Sequence, residues 1–389
     1  MRILHTSDWH LGRSFHGVDL LAAQAAYIDH LIETVETETV DLVVVSGDIY
    51  DRALPPVDAV ALADEAFTRL AASRARVVIT SGNHDSARRL GFSARLVDAA
   101  GVHLRTDTGR VDEPVLLEDV HGPVAIYAIP YLEPDVLKHH WDLPKRSHHA
   151  ALTEAMRRIR IDLGGRPAGT RSVVMAHAFV AGGQSSESER DIAVGGVAVV
   201  PTELFDRIDY TALGHLHGRA TLTDSVRYSG SPVAYSFSEA GHVKGCWLVD
   251  LDAAGLAATR FVESPVARGL ACITGTLHDL LTETRFEAHE DSWVQATLTD
   301  VLRPVRAMEQ LRTRVPHALA LRFAPTGEEQ GPTRPATFGK SAHEIALDFV
   351  SHVRGTPASA RESVLLRTAL ECCSEDPDLV VARDAVVSG

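Results

Sequence analysis

The chain has 389 residues, 45% of them hydrophobic, which is enough for a large core and for two or three domains. Its net charge of -14 disfavours tight DNA binding by this chain alone, because that affinity comes mainly from neutralised phosphates: the substrate is small, or a partner supplies the basic surface. The four cysteines do not suggest a disulfide framework, and no apolar run approaches the roughly 18 residues of a membrane span, so we expect a soluble, cytoplasmic protein.

Five short apolar runs end abruptly in residue types that bind metals. They start at Ile3, Leu42, Val77, Val173 and Tyr210, and the polar residues after them are Asp8, His10, Asp48, Asn83, His84, Asp85, His177, His215 and His217. Runs rich in valine and isoleucine, without polar alternation, predict strands buried on both faces. The loops after such strands line the crevice where open α/β sheets bind ligands. We therefore expect these side chains to meet in one site.

The chemistry of this set indicates which metals it suits. Carboxylates, a carboxamide and imidazoles without a thiolate favour ions such as Mn²⁺, Fe²⁺ or Zn²⁺. The candidate ligands outnumber what one ion needs, and two ions about 3.5–4 Å apart could share a bridging carboxylate during phosphoryl transfer. Any single motif could be an ordinary turn, since Gly, Asn and Asp favour turns. That interpretation does not explain five motifs at strand ends.

Strand and helix patterns alternate through the first half of the chain. Apolar periodicity predicts helices over residues 22–36, 57–72 and 152–163, and strands over 124–129, 227–228, 245–250 and 258–262. Four further histidines resemble a second cluster, but no strand or acidic partner frames them. We interpret them as a solvated face; they are His139, His140, His148 and His149.

A smaller α+β unit is predicted to follow residue 265. Strands over 270–274, 292–298 and 318–323, with a helix over 305–314, define a domain of residues 266–324. Residues 325–339 are rich in proline and glycine and predict a linker. Two amphipathic helices, over 344–353 and 361–371, are predicted within residues 340–389.

The ordered motifs resemble the signature of the calcineurin-like metallophosphoesterases. The motifs are Asp8-x-His10, Gly47-Asp48-x-x-Asp51, Gly82-Asn83-His84-Asp85, His177 and Gly214-His215-x-His217. Residues 188–192 with Gly195-Gly196, and residues 226–232 with 236–239, are similar to the SbcD subfamily of bacterial nuclease subunits. The resemblance covers about residues 1–250 and is weaker beyond them.

This resemblance implies an α/β fold, a metallophosphoesterase sandwich of sheets flanked by helices, with a small α+β capping domain and C-terminal helices. Residues 1–265 would form the nuclease domain. The implied activity is that of a two-metal DNA exonuclease and endonuclease that processes hairpins or DNA ends. Its implied partners are DNA and the SMC-like ATPase SbcC, in a heterotetramer that contains a homodimer of this chain and acts in DNA repair and recombination.

The resemblance also assigns roles to the candidate residues. One ion would be held by Asp8, His10, Asp48 and His217, and the other by Asp48, Asn83, His177 and His215. Asp48 would bridge the ions, which are expected to be Mn²⁺. His84 would stabilise the transition state or protonate the leaving oxygen, and Asp85 would orient His84. Asp51 is equally well interpreted as a turn-stabilising carboxylate.

Two other classes of function compete with this interpretation. A small-molecule phosphodiesterase or phosphatase would share all five motifs, and the acidic net charge favours it slightly. A non-catalytic scaffold would be expected to have lost ligands, and none of the expected ones is missing. The C-terminal helices are interpreted either as a docking site for the coiled-coil base of the ATPase or as helices that pack on the capping domain.

Overall fold

The computed structural model describes residues 1–189, 200–326 and 340–374. The chain divides into two compact units, Met1–Ala324 and Pro325–Gly389. Most of the predicted linker, residues 327–339, lies outside the described residues. The predicted domain boundary at residue 265 falls within the first unit and stays a prediction.

The strands of the described chain follow the predicted order. They are β1 (Arg2–Thr6), β2 (Ser14–Phe15), β3 (Val18–Asp19), β4 (Leu42–Ser46), β5 (Arg76–Thr80), β6 (Val102–Arg105), β7 (Val115–Asp119), β8 (Gly122–Ile129), β9 (Arg171–His177), β10 (Tyr210–Gly214), β11 (Ala220–Thr221), β12 (Val226–Tyr228), β13 (Gly245–Asp252), β14 (Gly255–Glu263), β15 (Leu270–Gly275), β16 (Trp293–Leu298) and β17 (Ala318–Phe323). Each strand predicted from an apolar run is present, which confirms that part of the sequence analysis.

The helices include all of those predicted from apolar periodicity. They are α1 (Leu21–Thr37), α2 (Val57–Ala72), α3 (Ala87–Leu90), α4 (Ala94–Asp98), α5 (Pro134–His140), α6 (His148–Gly164), α7 (Leu277–Thr282), α8 (Ala307–Leu311), α9 (Ala342–Arg354) and α10 (Ala360–Ser374). Helix α8 is shorter than the predicted helix over 305–314. Its start is set by Arg306, whose left-handed backbone, with φ 52°, a right-handed helix cannot include. Among the described residues, no helix has the length and apolar character needed to span a membrane.

Two six-stranded sheets build most of the first unit. The first has the order β14-β13-β1-β4-β5-β6, and its strands β1, β4, β5 and β6 are parallel. The second has the order β11-β12-β10-β9-β8-β7, and its strands β8, β9, β10 and β12 are parallel. The carboxyl ends of parallel strands lie at one edge of each sheet, so the loops that carry the predicted ligands start there.

The sheets pack face to face, and helices cover their outer faces. Ile3 and Val44 of the first sheet meet Ile126 and Met175 of the second in a buried core. The next residue along β1, Leu4, points to the opposite face because side chains alternate along a strand, and it packs in a core with α1 and α2. Helix α6 packs on the outer face of the second sheet. The predicted α/β sandwich of sheets flanked by helices is therefore confirmed.

A third sheet, of parallel strands β15-β16-β17, forms its own small core with α7 and α8. A separate aromatic cluster connects it to the larger sandwich, where Phe15 lies 4.8 Å from Phe237 and 5.6 Å from Trp293 between ring centroids. Phe237 belongs to one of the stretches that resemble the SbcD subfamily. The third sheet therefore packs beside the segment that carries that resemblance.

The second unit contains the two predicted amphipathic helices. Helix α9 begins with a capping box, in which Ser341 and Glu344 satisfy each other's backbone amides, and its carboxyl end is capped by Gly355, whose φ is 73°. Arg354 of α9 pairs with Glu362 of α10 at 2.6 Å. Both predicted helices are confirmed.

One of the four histidines predicted on a solvated face is instead buried. His148 is the first residue of α6, and Ser147 caps that helix by accepting a hydrogen bond from the amide of Ala150. The ring of His148 packs 5.6 Å from the ring of Tyr131, which explains its burial. The other three, His139, His140 and His149, are exposed as predicted.

The packing between the sheets allows a test at Gly214, the last residue of β10. A Cβ at Gly214 would lie 1.9 Å from the carbonyl oxygen of Ser46 at the end of β4. We expect Gly214→Ala to lower the free energy of unfolding by about 1–3 kcal/mol or more, because the backbone must move to relieve this overlap.

The matched control is Gly164→Ala, since a Cβ at the exposed carboxyl end of α6 meets no atom within 4 Å. We expect that control to change stability by less than about 1 kcal/mol. Denaturant unfolding of both full-length variants measures the difference. Equal midpoints for Gly214→Ala and the unsubstituted protein would contradict the close approach of the two sheets.

Candidate metal centre

The predicted ligands come from loops at the carboxyl ends of five strands. The loops after β1, β4 and β5 carry Asp8 and His10, then Asp48, then Asn83. His177 is the last residue of β9, and His215 and His217 follow β10. These loops meet where the parallel strands of the two sheets end, as the sequence predicts.

The backbone of these loops adopts conformations that are uncommon outside functional sites. The φ angles of Asp8, His10 and Asp48 are 54°, 45° and 52°, and that of His215 is 106°. Such angles cost energy in residues other than glycine and persist where the surrounding structure enforces them. Here the amide of Asp8 donates to the carbonyl of Gly47 at 3.0 Å, and that of His10 donates to Asp48 at 3.0 Å. The first two loops therefore hold each other in place.

Glycines allow the loops to come close together. A Cβ at Gly82 would lie 2.1 Å from Oδ1 of Asp48, and one at Gly47 would lie 2.5 Å from Nδ1 of His177. The occurrence of glycine before Asp48 and before Asn83 is thus explained by space as well as by turn formation. A side chain at either position would displace a candidate ligand.

The first group of candidate ligands comprises Asp8, His10 and His217, all buried, with their ligand atoms within 4.8 Å of one another. Nε2 of His10 lies 3.0 Å from Nε2 of His217 and 3.6 Å from Oδ2 of Asp48. The carboxylate of Asp8 accepts a hydrogen bond from the amide of His215 at 3.1 Å. These atoms surround one point beside Asp48.

The second group lies on the other side of Asp48. Oδ1 of Asn83 is 2.8 Å from Nε2 of His177 and 3.3 Å from Nδ1 of His215. Nε2 of His177 is also 3.4 Å from Oδ2 of Asp48. The same oxygen of Asp48 therefore faces both groups, which is the arrangement expected of a bridging carboxylate.

The electrostatics of this cluster suit divalent cations. Burial raises the pKa of Asp8 to about 6. Burial also opposes ionisation of Asp48, but His177 and His10 outweigh it and hold the pKa of Asp48 well below its ordinary value. Buried carboxylates are costly unless they are paired or coordinate a metal. Two carboxylates, an amide oxygen and four imidazole nitrogens that face one another fit two borderline or hard ions.

Comparisons with known proteins agree with this geometry. Residues 1–219 match the calcineurin-like phosphoesterase family. The chain belongs to this family. It is thus a metal-dependent hydrolase with a candidate dimetal site of Asp and His residues.

Two solved structures are similar to this chain at low sequence identity. One is a dimetal phosphatase from Danio rerio, which is 13% identical, with a TM-score of 0.41, and covers 68% of this chain and 99% of its own. The other is GAP50, the anchor in the inner membrane complex of Plasmodium, which is 12% identical, with a TM-score of 0.42, and covers 84% of this chain and 98% of its own.

The metallophosphoesterase places His84 at the edge of the centre. Its amide donates to Oδ1 of Asp48 at 2.8 Å, and its Nδ1 donates to the carbonyl oxygen of Asp51 at 2.7 Å. The second bond selects the Nδ1–H tautomer, so Nε2 is the nitrogen suited to acid–base chemistry. The ring of His84 lies 4.6 Å from that of His10.

The carboxylate of Asp85 contacts the backbone of two loops. Its carboxylate accepts hydrogen bonds from the amides of Ile49 at 3.1 Å, Tyr50 at 2.9 Å and Gly82 at 2.9 Å. Asp85 thus joins the loops after β4 and β5, and the carbonyl of Asp51 accepts the hydrogen of Nδ1 of His84. An orienting role of Asp85 toward His84 stays a prediction. Burial raises the pKa of Asp85 to about 7.

The side chain of Asp51 lies near the centre. Its Oδ1 is 3.8 Å from Nδ1 of His10 and 3.6 Å from Nε of Arg13. At these distances the carboxylate of Asp51 faces Nδ1 of His10, the ring nitrogen that is not the proposed metal ligand. They suit a supporting role for the carboxylate of Asp51 better than a role as metal ligand.

Sequence reasoning missed several residues that support the ligands. Gln24 of α1 donates from Nε2 to the carbonyl of His10 at 2.8 Å and accepts from the amide of Gly12 at 3.0 Å. Ser188 and Glu239, which belong to the stretches that resemble the SbcD subfamily, lie against His217. The rest of the first such stretch, residues 190–192 with Gly195 and Gly196, lies outside the described residues.

The position of Asp48 between the two groups predicts the effect of Asp48→Asn. A neutral amide cannot offset the charge between two dications as a carboxylate does, so both ions should bind more weakly, by at least about 10-fold. Isothermal titration with Mn²⁺ and metal analysis after dialysis would measure this.

The control for this test is Asp58→Asn, which removes a similar charge from an exposed position in α2. It should bind Mn²⁺ like the unsubstituted protein. Two tightly bound ions and full phosphodiesterase activity in Asp48→Asn would show that Asp48 does not bridge.

Proposed function

We propose that this metallophosphoesterase is a DNA exonuclease and endonuclease that processes hairpins and DNA ends as the nuclease subunit of an SbcCD-type complex. One observation carries the proposal: both stretches that resemble the SbcD subfamily reach the candidate metal centre. Ser188, from the first stretch, contacts Nδ1 of His217. Glu239, from the second stretch, accepts a hydrogen bond from Ser188 and lies 3.5 Å from the same nitrogen of His217. The features that distinguish the subfamily thus support the proposed chemistry directly.

The proposed cofactor is a pair of Mn²⁺ ions. Asp8, His10, Asp48 and His217 would hold one ion, and Asp48, Asn83, His177 and His215 the other. The bound pair would supply Lewis-acid activation of the attacking water and of the phosphoryl oxygens. Hydrogen bonds between neighbouring loops hold the donor atoms in these positions.

His84 is proposed to act on the leaving oxygen. The carbonyl of Asp51 holds the Nδ1–H, which leaves Nε2 as the nitrogen that gains or loses a proton. In the imidazolium form, with a hydrogen on both nitrogens, His84 would stabilise the developing charge of the leaving alkoxide or pass it the Nε2 hydrogen and become the neutral Nδ1–H ring. The bond from the amide of His84 to Asp48 keeps the ring next to the metal centre. His84 would therefore act in turnover and not in metal binding.

A partner is proposed because the 52 acidic residues of the chain outnumber its 38 lysines and arginines, which disfavours DNA binding by this chain alone. With a net charge of -14, it needs a basic surface from elsewhere, and the SMC-like ATPase SbcC is the proposed source. The pair α9–α10 is the proposed docking site. Its apolar side chains Phe349, Val353, Val364 and Leu365 are 64%, 66%, 63% and 61% exposed. The assembly would be a heterotetramer that contains a homodimer of this chain and acts in DNA repair and recombination.

The second candidate is a small-molecule phosphodiesterase or phosphatase of the same family. The net charge of -14 favours it, because a small substrate needs no extended basic surface. The third sheet beside the site and the subfamily stretches at His217 favour the nuclease.

A nuclease assay separates these two candidates. The protein would be incubated with Mn²⁺ and linear or hairpin DNA, with and without the ATPase encoded beside it, and in parallel with bis(p-nitrophenyl) phosphate. We expect cleavage of both substrate classes, and stimulation of DNA cleavage by the ATPase. Hydrolysis of the small diester without any DNA cleavage in the presence of the ATPase would support the second candidate.

The proposed role of His84 predicts a separation of turnover from binding. His84→Ala should lower turnover by roughly 10²–10⁴-fold, because it removes an acid–base group. It should leave binding of Mn²⁺ and DNA nearly unchanged, since a group that acts in the transition state contributes little to ground-state affinity.

His103→Ala is the control, because His103, on β6, belongs to neither ligand group. Its Nδ1 lies 2.7 Å from a carboxylate oxygen of Asp98. The turnover of this variant should match that of the unsubstituted protein. Loss of metal in His84→Ala would make His84 a ligand or a structural residue.

Truncation after Gly339 tests the docking role of α9 and α10. The truncated chain should keep Mn²⁺-dependent hydrolysis of small phosphodiesters and its melting temperature, but should not co-purify with the ATPase. A full-length variant with Phe349→Glu and Leu365→Glu should behave in the same way, because charge prevents burial of these side chains in an interface.

Val120→Glu is a matched control, since Val120 is 95% exposed in the first unit. It should co-purify normally. Tight co-purification of the truncated chain, or its unfolding, would reject the docking assignment.

A further inference from the structure

A buried polar network lies behind His217, on the side away from the other candidate ligands. It contains Ser188, Glu239 and Lys244, and the side chains of Glu239 and Lys244 are 0% and 6% exposed. A buried lysine and glutamate cost more to desolvate than they gain unless hydrogen bonds satisfy them. The hydrogen bonds of Glu239 and Lys244 therefore account for their burial beside His217.

The carboxylate of Glu239 is satisfied on both oxygens. Oε1 accepts a short hydrogen bond from the hydroxyl of Ser188, and Oε2 accepts from Nζ of Lys244 at 2.5 Å. The ammonium group of Lys244 can only donate, and the ion pair it forms identifies Glu239 as a carboxylate. A carboxylate can only accept hydrogen bonds.

This charge decides the direction of the next hydrogen bond. Oγ of Ser188 lies 2.6 Å from Nδ1 of His217. A hydroxyl has one proton, and the carboxylate takes it, so Ser188 must accept the hydrogen of Nδ1. His217 is then the Nδ1–H tautomer, and the lone pair is on Nε2. That nitrogen is the one that lies 3.0 Å from Nε2 of His10.

The neighbouring hydroxyl does not reverse this order. Oγ of Ser186 is 2.8 Å from Oγ of Ser188, but it also lies 2.7 Å from a carboxylate oxygen of Glu189, which takes its proton. The backbone of His217 is held as well. Its amide donates to Glu189 at 2.7 Å, and its carbonyl accepts from Lys244 at 2.7 Å. Both the ring and the main chain of His217 are thus fixed.

We propose that Ser188 and Glu239 are positioning residues that hold His217 in the Nδ1–H tautomer and direct its Nε2 to the metal, with Lys244 as the counter-charge of Glu239. The inference rests on the proposed role of His217 as a ligand. A carboxylate behind a ligating histidine orients the ring and raises its basicity. The network therefore strengthens one metal position without contacting the metal.

Other histidines of the site are oriented in a simpler way. Nδ1 of His177 donates to the carbonyl of Ser46 at 3.0 Å, and Nδ1 of His84 donates to the carbonyl of Asp51. A neutral carbonyl fixes the tautomer but supplies less negative charge than a carboxylate. We therefore expect the ion bound by His217 to depend on its supporting residues more than the ion bound by His177.

Ser188→Ala tests this proposal because it breaks the chain of hydrogen bonds and leaves the Glu239–Lys244 pair intact. We expect one Mn²⁺ ion to bind about 10- to 100-fold more weakly, and the other to bind as before. Titration calorimetry of the full chain measures both affinities. Nitrogen-15 spectra of labelled histidines should also show that His217 has lost its single Nδ1–H tautomer.

Three further variants make the outcome decisive. Glu239→Gln should weaken the same ion, and it should also lower the melting temperature, because Lys244 loses its counter-charge. Ser172→Ala is the control, since this buried serine contacts Asp209 at 2.9 Å and not a ligand. It should bind both ions normally. His217→Ala should lose one ion.

These outcomes separate the two levels of the inference. If His217→Ala keeps both ions, the ligand assignment that underlies the proposed function is wrong. If His217→Ala loses an ion while Ser188→Ala keeps normal affinity and a single tautomer, the positioning role is overturned and the proposed function stands.

Discussion

The burial of two carboxylates, Asp8 and Asp48, is the constraint on which the rest of the site depends. Buried negative charges need compensation, and the protein places histidine rings around both of them. Gly47 and Gly82 provide the space for this close approach. The unusual backbone angles and the bonds between loops follow from the same requirement, because donor atoms from five strand ends must meet within a few ångströms.

Much of the fold and of the ligand set could be predicted from sequence because both depend on local patterns. A strand buried on both faces is an uninterrupted apolar run, and parallel strands bring their carboxyl ends to one edge. The five runs therefore indicated both the sheets and the residues between which the metals are proposed to bind. Helix α2, predicted over residues 57–72, has those bounds in the structure. Its apolar stripe and the aspartate in its first turn both indicate a helix over the same residues.

The features that could not be predicted depend on contacts between distant segments. Asp85 follows His84 directly, but its partners are amides at residues 49, 50 and 82, which only the packing of two loops brings near. No local sequence pattern indicates that His148 is buried, because the ring that covers it, Tyr131, comes from another segment. Ser188 and Glu239 are 51 positions apart, so no spacing rule connects them with His217. Lys244 belongs to none of the sequence motifs.

Anomalous diffraction from crystals of the full chain grown with Mn²⁺ would locate the ions. A centre bridged by Asp48 should give two peaks about 3.5–4 Å apart, with one oxygen of Asp48 between them. Nε2 of His10 and of His217 should lie at the first peak, and Asn83, His177 and His215 at the second. A single peak, or two peaks with the carboxylate of Asp48 bound to only one of them, would contradict the bridged two-metal centre.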